Sequence, residues 1–330
     1  MTIPQLGPTS LADLQAPVRR RLDDVSAEMR RMIEEDFPLI SEVNQHLLRM
    51  RGKMFRPTLV LLADQATGGP TERAATFAAV IEVIHLATLV HDDSVDHSTL
   101  RRGMPTINAL FSHQVSVIMG DFLYSRAVVE LVRLGNLDAL RILSRVTTEM
   151  TVGEMRQLLA DDPLAFGEPE YDLLIKAKTA SLMSGACEVG ALEAPPEQRR
   201  ALASFGEKLG MIFQITDDLL DYTADETTTG KPSGLDLREH KVTLPLIYAI
   251  PRLSTVERGE LEALMRDPTP SDDAIASVVA SVRAHGGLDY ARDRAQRLIL
   301  EAEEELALLP DTPARDILRA SLGYVLERRR

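Results

Sequence analysis

Leu86-Ala87-Thr88-Leu89-Val90-His91-Asp92-Asp93-Ser94-Val95-Asp96 is a mostly apolar run that ends in three carboxylates. Read at helical pitch, Asp92 and Asp96 fall one turn apart on one face, with Asp93 beside them. Carboxylates this close repel one another unless a cation neutralises them. A single cluster of this spacing is more often a solvated acidic face, but two features argue otherwise. The residues before it are apolar, so the cluster terminates a buried helix. The spacing also recurs at Asp217-Asp218-Leu219-Leu220-Asp221, after a second apolar run, Leu209-Gly210-Met211-Ile212-Phe213. Two such helix ends facing each other make a clamp with room for three ions. The all-oxygen donor set suits Mg²⁺, whose coordination is completed by water and substrate phosphates.

Helical periodicity continues to both sides, and β-branched alternation is scarce, so an all-α protein is expected. Gly, Pro, Asn and Asp punctuation predicts helices over about 10–36, 38–52, 55–67, 71 to the first cluster, 112–134, 137–160, 169–192 and 195–222. Residues 223–241 form a polar, Gly- and Pro-containing stretch directly after the second cluster, and a loop of that length in a helical protein is usually functional. Helix resumes over 243–330, broken near Pro251, Pro268, Gly286 and Pro310. No interdomain linker and no short repeat is visible, so one domain over residues 1–330 is expected.

Composition narrows the function. With 45% hydrophobic residues among 330, a sizeable core is available, while a formal net charge of -13 argues against nucleic acid as the partner. Cys187 is the only cysteine, which excludes a disulfide within the chain and fits a reducing compartment. Residues 1–7 show no secretory signal, and the apolar stretch over about 75–90, interrupted by Glu82 and His85, reads as too short to span a bilayer. A cytoplasmic protein is expected.

Basic residues follow each acidic cluster. Arg101-Arg102-Gly103 comes shortly after the first, and Gly230-Lys231-Pro232 and Lys241 after the second. Gly52-Lys53-Met54-Phe55-Arg56-Pro57 places two more cations at the start of another helix. Arg offers planar bidentate contacts to phosphate, and Lys a mobile point charge. Beside the carboxylates, these residues imply two anionic ligands, one bridged through metal and one held directly.

With these motifs, in this order, the chain closely resembles the trans-isoprenyl diphosphate synthases, or polyprenyl synthases, of long-chain type. The resemblance spans nearly the whole chain. It also takes in His85, Gly120-Asp121, Lys178-Thr179 and Phe213-Gln214. It implies an antiparallel helix bundle around a deep central cavity, three Mg²⁺ ions, a homodimer, and transient membrane association for product release. By the same resemblance, Asp92, Asp96 and Asp217 are the principal metal ligands, with Asp93, Asp218 and Asp221 as further or water-mediated ones. Arg101, Lys178, Gln214, Lys231 and Lys241 would grip an allylic diphosphate, with Thr179 steadying the developing cation. Lys53, Arg56, His85 and Arg102 would hold isopentenyl diphosphate without metal. The catalytic set is then Asp92, Asp93, Asp96, Lys178 and Asp217, while Asp121, Glu154 and Gln157 are read as supporting residues. Met54 and His240 stand where many members carry Arg and Gly. Neither change removes an assigned diphosphate contact.

Two other classes compete. The pair His91-Asp92 could belong to an HD-type metal-dependent phosphohydrolase, which leaves the second cluster unexplained. A non-catalytic subunit of a heteromeric synthase would not be expected to keep both clusters. Cyclising terpene synthases share the fold, but Lys53 and Arg56 favour elongation. Within elongation, Ala87 and Thr88 one turn before Asp92 are small, which should leave a product tunnel open toward Ile84, Met119 and Phe122. The expected product is a polyprenyl diphosphate of roughly C30 to C50 for a quinone side chain, the alternative being a geranylgeranyl or farnesyl product. Replacing Ala87 with Tyr is expected to shorten the product, read by mass spectrometry of the prenyl chain; an unchanged length would put the tunnel elsewhere.

Overall fold

A computed structural model describes residues 10–50, 52–158, 163–223 and 234–328. The described chain begins with a capping box: Ser10 Oγ accepts the Asp13 N–H at 3.2 Å, and the Asp13 carboxylate accepts the Ser10 N–H at 2.9 Å. Pro17 then interrupts the helix expected over 10–36, because its ring removes a donor and crowds the preceding turn. The result is α1 (Leu11–Gln15), a 3-10 turn (Ala16–Val18) and α2 (Arg19–Ile33). There follow α3 (Pro38–Arg49), α4 (Phe55–Ala66) and α5 (Ala74–Val95). After these come α6 (Ile107–Leu110), α7 (His113–Leu134), α8 (Leu137–Leu158), α9 (Glu168–Ile175), α10 (Ser181–Gly190) and α11 (Pro196–Thr223). The remainder is α12 (Leu235–Arg238), α13 (Leu244–Ala249), α14 (Thr255–Arg266), α15 (Asp272–Ala284), α16 (Gly287–Leu306) and α17 (Pro313–Glu327). The fold is all-α.

Helix α5 is the centre of the core. It packs on α2, α4, α7 and α10, and Ala78, Ala79, Val80, Ile81 and Val83 are fully buried. Each such Val or Ile contributes about 1.5–3 kcal/mol by leaving water. At 22 residues this helix is long and apolar enough to cross a membrane, which corrects the expectation that it is too short. Its packing against neighbouring helices, and not its length, marks it as a core helix.

Two local departures from plain helix shape the cavity. After α5 the chain forms a hairpin in which Leu100 pairs with Pro105 and Arg101 with Met104. Its turn residues, Arg102 (φ 53°) and Gly103 (φ 76°), are both left-handed, as a two-residue hairpin turn requires. Strands of two residues leave no alternation to detect in sequence. The helix expected over 169–192 is likewise split, because a five-residue π stretch, Lys176–Ala180, joins α9 to α10. Such a widened turn re-aims side chains, and both Lys178 and Thr179 line the cavity.

Gly210 of α11 lets that helix touch the π stretch backbone to backbone. A Cβ at Gly210 would lie 2.4 Å from Ala180 Cα. Gly210→Ala is therefore expected to cost about 1–3 kcal/mol through overpacking, read as a lower denaturation midpoint. An unchanged midpoint would contradict this close approach.

Candidate active site

The C-terminal ends of α5 and α11 open into one cavity of about 1070 Å³. Asp92, Asp96 and Asp217 line it. The other three aspartates are held by protein partners. Asp93 is buried, and both of its carboxylate oxygens accept from Arg101 Nε at 2.7 and 2.8 Å. Asp218 is buried, accepting from Tyr171 Oη at 2.6 Å and from Gln214 Nε2 at 2.9 Å. Asp221 accepts the backbone N–H groups of Leu235 and Asp236, each at 3.0 Å. It thereby ties the second cluster to α12, a short helix inside the stretch expected as a loop over 223–241.

The lining carboxylates are suited to a cation. Burial pushes Asp92 up to about 6, against the pull of Lys178 and with the push of Glu154 and Asp96. Among the described residues, no three acidic, His or Cys side chains converge closely enough to enclose an ion by themselves. An ion there would take its remaining ligands from water and from a phosphorylated substrate, which is the usual habit of Mg²⁺. The donor chemistry therefore fits a divalent cation shared with an anion.

Residues expected to grip the allylic diphosphate surround this end. Lys178 Nζ lies 2.8 Å from Glu154 Oε1 and 3.3 Å from Gln157 Oε1, so those two side chains hold the lysine at the wall. Thr179 Oγ1 donates to Gln214 Oε1 at 2.9 Å, and Gln214 continues the chain to Asp218. Lys241 lines the cavity and pairs with Glu239 at 2.6 Å. Arg101 points into the Asp93 pair. Lys231, with Gly230 and Pro232, lies outside the described residues.

A second, basic region lies further round the same cavity, where Lys53, Arg56, His85 and Arg102 all form part of the wall. Arg56 Nη1 approaches His85 Nε2 at 3.0 Å. A guanidinium cannot accept, so Nε2 must carry the lone pair and the ring proton belongs on Nδ1. Burial, reinforced by Arg56 and Arg102, holds His85 well below its usual range and hence neutral. Burial lowers Arg56 to about 10. Lys53 is lowered by burial and by its neighbours Arg328 and Arg102. Cations crowded enough to depress one another form a site that favours an anion.

The far end of the cavity differs in part from expectation. Ile84, Ala87 and Thr88 line it as expected, whereas Met119 is buried in the core and Phe122 packs against it, and neither forms part of the wall. The wall there takes Tyr124 and Thr147 instead, with Tyr124 Oη 3.3 Å from Thr147 Oγ1. Period 3.6 says which α7 residues share a face, but not which face borders a cavity. His91 turns toward α7, its Nε2 3.1 Å from Val117 O, and this weakens the HD reading.

Residues 37–282 match the family model for polyprenyl synthetase. Octaprenyl diphosphate synthase of Escherichia coli is 36% identical over 308 residues, 93% of this chain and 95% of that protein. All-trans-nonaprenyl-diphosphate synthase (geranyl-diphosphate specific) of Rhodobacter capsulatus is 39% identical over 320 residues, 96% and 97% of the two chains. The crystal structure of a decaprenyl diphosphate synthase from Rhodobacter capsulatus superposes with a TM-score of 0.91 at 37% identity, covering 97% of this chain and 100% of that one. The chain belongs to the polyprenyl synthetase family. As a polyprenyl synthetase it carries both aspartate clusters at the mouth of one cavity, and the matched segment includes every aspartate, lysine and arginine assigned above.

Three wall or near-wall residues were not foreseen from the sequence. Arg328, just beyond α17, lies 2.8 Å from Asp217 and stacks 3.6 Å from the Phe213 ring centroid. The arginine run at 328–330 was its only signal. Glu82 was visible only as an interruption of an apolar run. Asp236 lay hidden in the expected loop; burial, with Asp218 and Asp221 nearby, pushes it up to about 8.

Burial likewise raises Asp218 to about 7. Both groups favour the proton in the fold, so their contribution is full below the ordinary 3.8 and is lost as pH rises through about 7 to 8. In EDTA the melting temperature is expected to fall between about pH 5 and pH 8, and Asp236→Asn to flatten that slope. A profile unaffected by Asp236→Asn would contradict the buried acidic group.

Proposed function

We propose that this chain is a chain-elongating trans-prenyltransferase. It condenses isopentenyl diphosphate with an allylic diphosphate to give an all-trans polyprenyl diphosphate of roughly C30 to C50, and residues 1–330 act as one polyprenyl synthase domain. The observation that carries the reading is the division of one cavity wall into a carboxylate-lined end, with Asp92, Asp96 and Asp217, and a cation-lined end, with Lys53, Arg56 and Arg102.

Asp92, Asp96 and Asp217 would hold Mg²⁺, three ions in the reading, which when bound neutralises charge on the departing diphosphate. Lys178 and Lys241 hold the same leaving group, a role that the family resemblance also gives to Lys231. The allylic carbon–oxygen bond breaks, leaving a delocalised carbocation and pyrophosphate. Thr179 and Gln214 present polar oxygens beside the cation. Lys53, Arg56 and Arg102 keep the isopentenyl diphosphate in place, so that its double bond attacks the cation and forms the new carbon–carbon bond. A proton then leaves the adjacent carbon to the released pyrophosphate, restoring a double bond and the neutral chain.

Ala87 and Thr88 beneath the first cluster support the long product, as do the octaprenyl, nonaprenyl and decaprenyl names of the relatives. Tyr124 in the far wall is the one observation favouring a shorter, geranylgeranyl-like product. The reading further places the enzyme in the cytoplasm as a homodimer that passes its product to a membrane. Support for the homodimer comes from α7, whose exposed face carries Ile118, Val129 and Val132 at 61%, 58% and 65% exposure, an apolar surface that a second copy would cover.

Incubating the purified protein with Mg²⁺, isopentenyl diphosphate and geranyl, farnesyl or geranylgeranyl diphosphate is expected to yield all-trans products of roughly C30 to C50. Phosphate release without chain growth would support the hydrolase instead, and a C20 limit would support the shorter product.

A further inference from the structure

Glu82 is a carboxylate inside an otherwise apolar helix. It is 8% exposed, and it lies on one of the faces that α5 turns to the cavity. The wall residues of that face are Glu82, His85, Leu89, Asp92 and Asp96, in alternating steps of three and four that keep them in line at helical pitch. The basic region therefore begins one turn further from the metal end than the sequence motifs indicate.

A buried carboxylate without partners costs several kcal/mol and tends to neutralise. Here the partners are cationic. The point that a Cβ on Gly52 would occupy lies 3.0 Å from Arg102 Nη1 and 3.1 Å from Glu82 Oε1. Gly52 thus leaves a gap that the guanidinium and the carboxylate close on from two sides. Arg56, the other guanidinium at this end, is fixed on its far side by His85. Its Nε is shielded and has no hydrogen-bond partner among the described residues. Burial pushes the Glu82 carboxyl up, while Arg56 and Arg102 pull it back toward the charged form.

We propose that Glu82 is a positioning residue for the metal-free diphosphate subsite: its carboxylate sets the Arg56 and Arg102 guanidinium groups in place before isopentenyl diphosphate arrives. The inference rests on the prenyltransferase reading. Arg56 and Arg102 touch the ligand, and Glu82 acts through them. Two guanidiniums close enough for Arg102 to lower Arg56 would otherwise separate by mutual repulsion, and ligand binding would have to reverse that. With the Glu82 carboxylate drawing on both, their order is present in the free enzyme. Glu82 touches neither the allylic diphosphate nor the aspartates, so its removal weakens one substrate and not the chemistry.

The test compares steady-state kinetics of the wild type, Glu82→Gln, Glu82→Asp and Gly52→Ala, varying isopentenyl diphosphate and the allylic starter separately. Glu82→Gln is expected to raise KM for isopentenyl diphosphate about tenfold, because the charge that draws on both guanidiniums is lost. Values of kcat and the allylic KM should stay near wild type, the pattern of lost uniform binding. Glu82→Asp should recover part of the affinity. Gly52→Ala, which inserts a methyl group between Arg102 and Glu82 without altering α5, should raise the same KM. A folded Glu82→Gln with unchanged or lowered isopentenyl KM overturns the proposal, as does a drop in kcat with both KM values unchanged. If Glu82→Gln does not fold, Gly52→Ala decides alone, and an unchanged isopentenyl KM in that variant is the contrary result. A wild type without prenyl product contradicts the prenyltransferase reading itself, which is a separate failure.

Discussion

Like charges held close in a half-buried cavity are the constraint on which the rest of this structure depends. Along the cavity face of α5, Glu82 and His85 stand near two guanidinium groups, and Asp92 and Asp96 follow two turns later. In a region of reduced dielectric, carboxylates in one group and cations in another each repel strongly. The fold answers by assigning several of these groups fixed partners. Arg101 holds Asp93, Tyr171 and Gln214 hold Asp218, and the start of α12 holds Asp221. Asp92 and Asp96 are left to face the cavity.

The partners come from distant parts of the chain. A π stretch brings Lys178 and Thr179 inward, a hairpin turns Arg101 back onto Asp93, and the end of α17 returns Arg328 to Asp217. Each device departs from regular helix where regular helix would point the side chain elsewhere. Helices α5 and α11 supply the rigid frame, each with one face buried in the core. A site carried on such elements is more sharply defined than one carried on loops.

Much of this was legible in the sequence. The two aspartate clusters, each after an apolar run, gave the helix ends that open into the cavity, and periodicity gave an all-α fold with element positions close to those observed. Pro17, the π stretch and the hairpin were not legible, because each alters only a few residues within a longer pattern. Glu82 was visible but ambiguous: one charge in an apolar run reads as an interruption until the neighbouring Arg56 and Arg102 are placed. Arg328 and the far wall at Tyr124 depend on contacts between residues far apart in the chain, which periodicity does not encode. Lys231 falls in residues 224–233, outside the described structure.

In the proposed enzyme one cavity holds two diphosphates by different means, one through metal and the other through Lys and Arg alone. Isothermal titration of isopentenyl diphosphate, and of a non-ionising thio-analogue of the allylic diphosphate, in EDTA and then with Mg²⁺, separates the two modes. Isopentenyl diphosphate should bind in EDTA with an affinity little changed by Mg²⁺, while the allylic analogue should require the metal. Loss of isopentenyl diphosphate binding in EDTA would contradict a metal-free subsite and, with it, the division of the cavity wall.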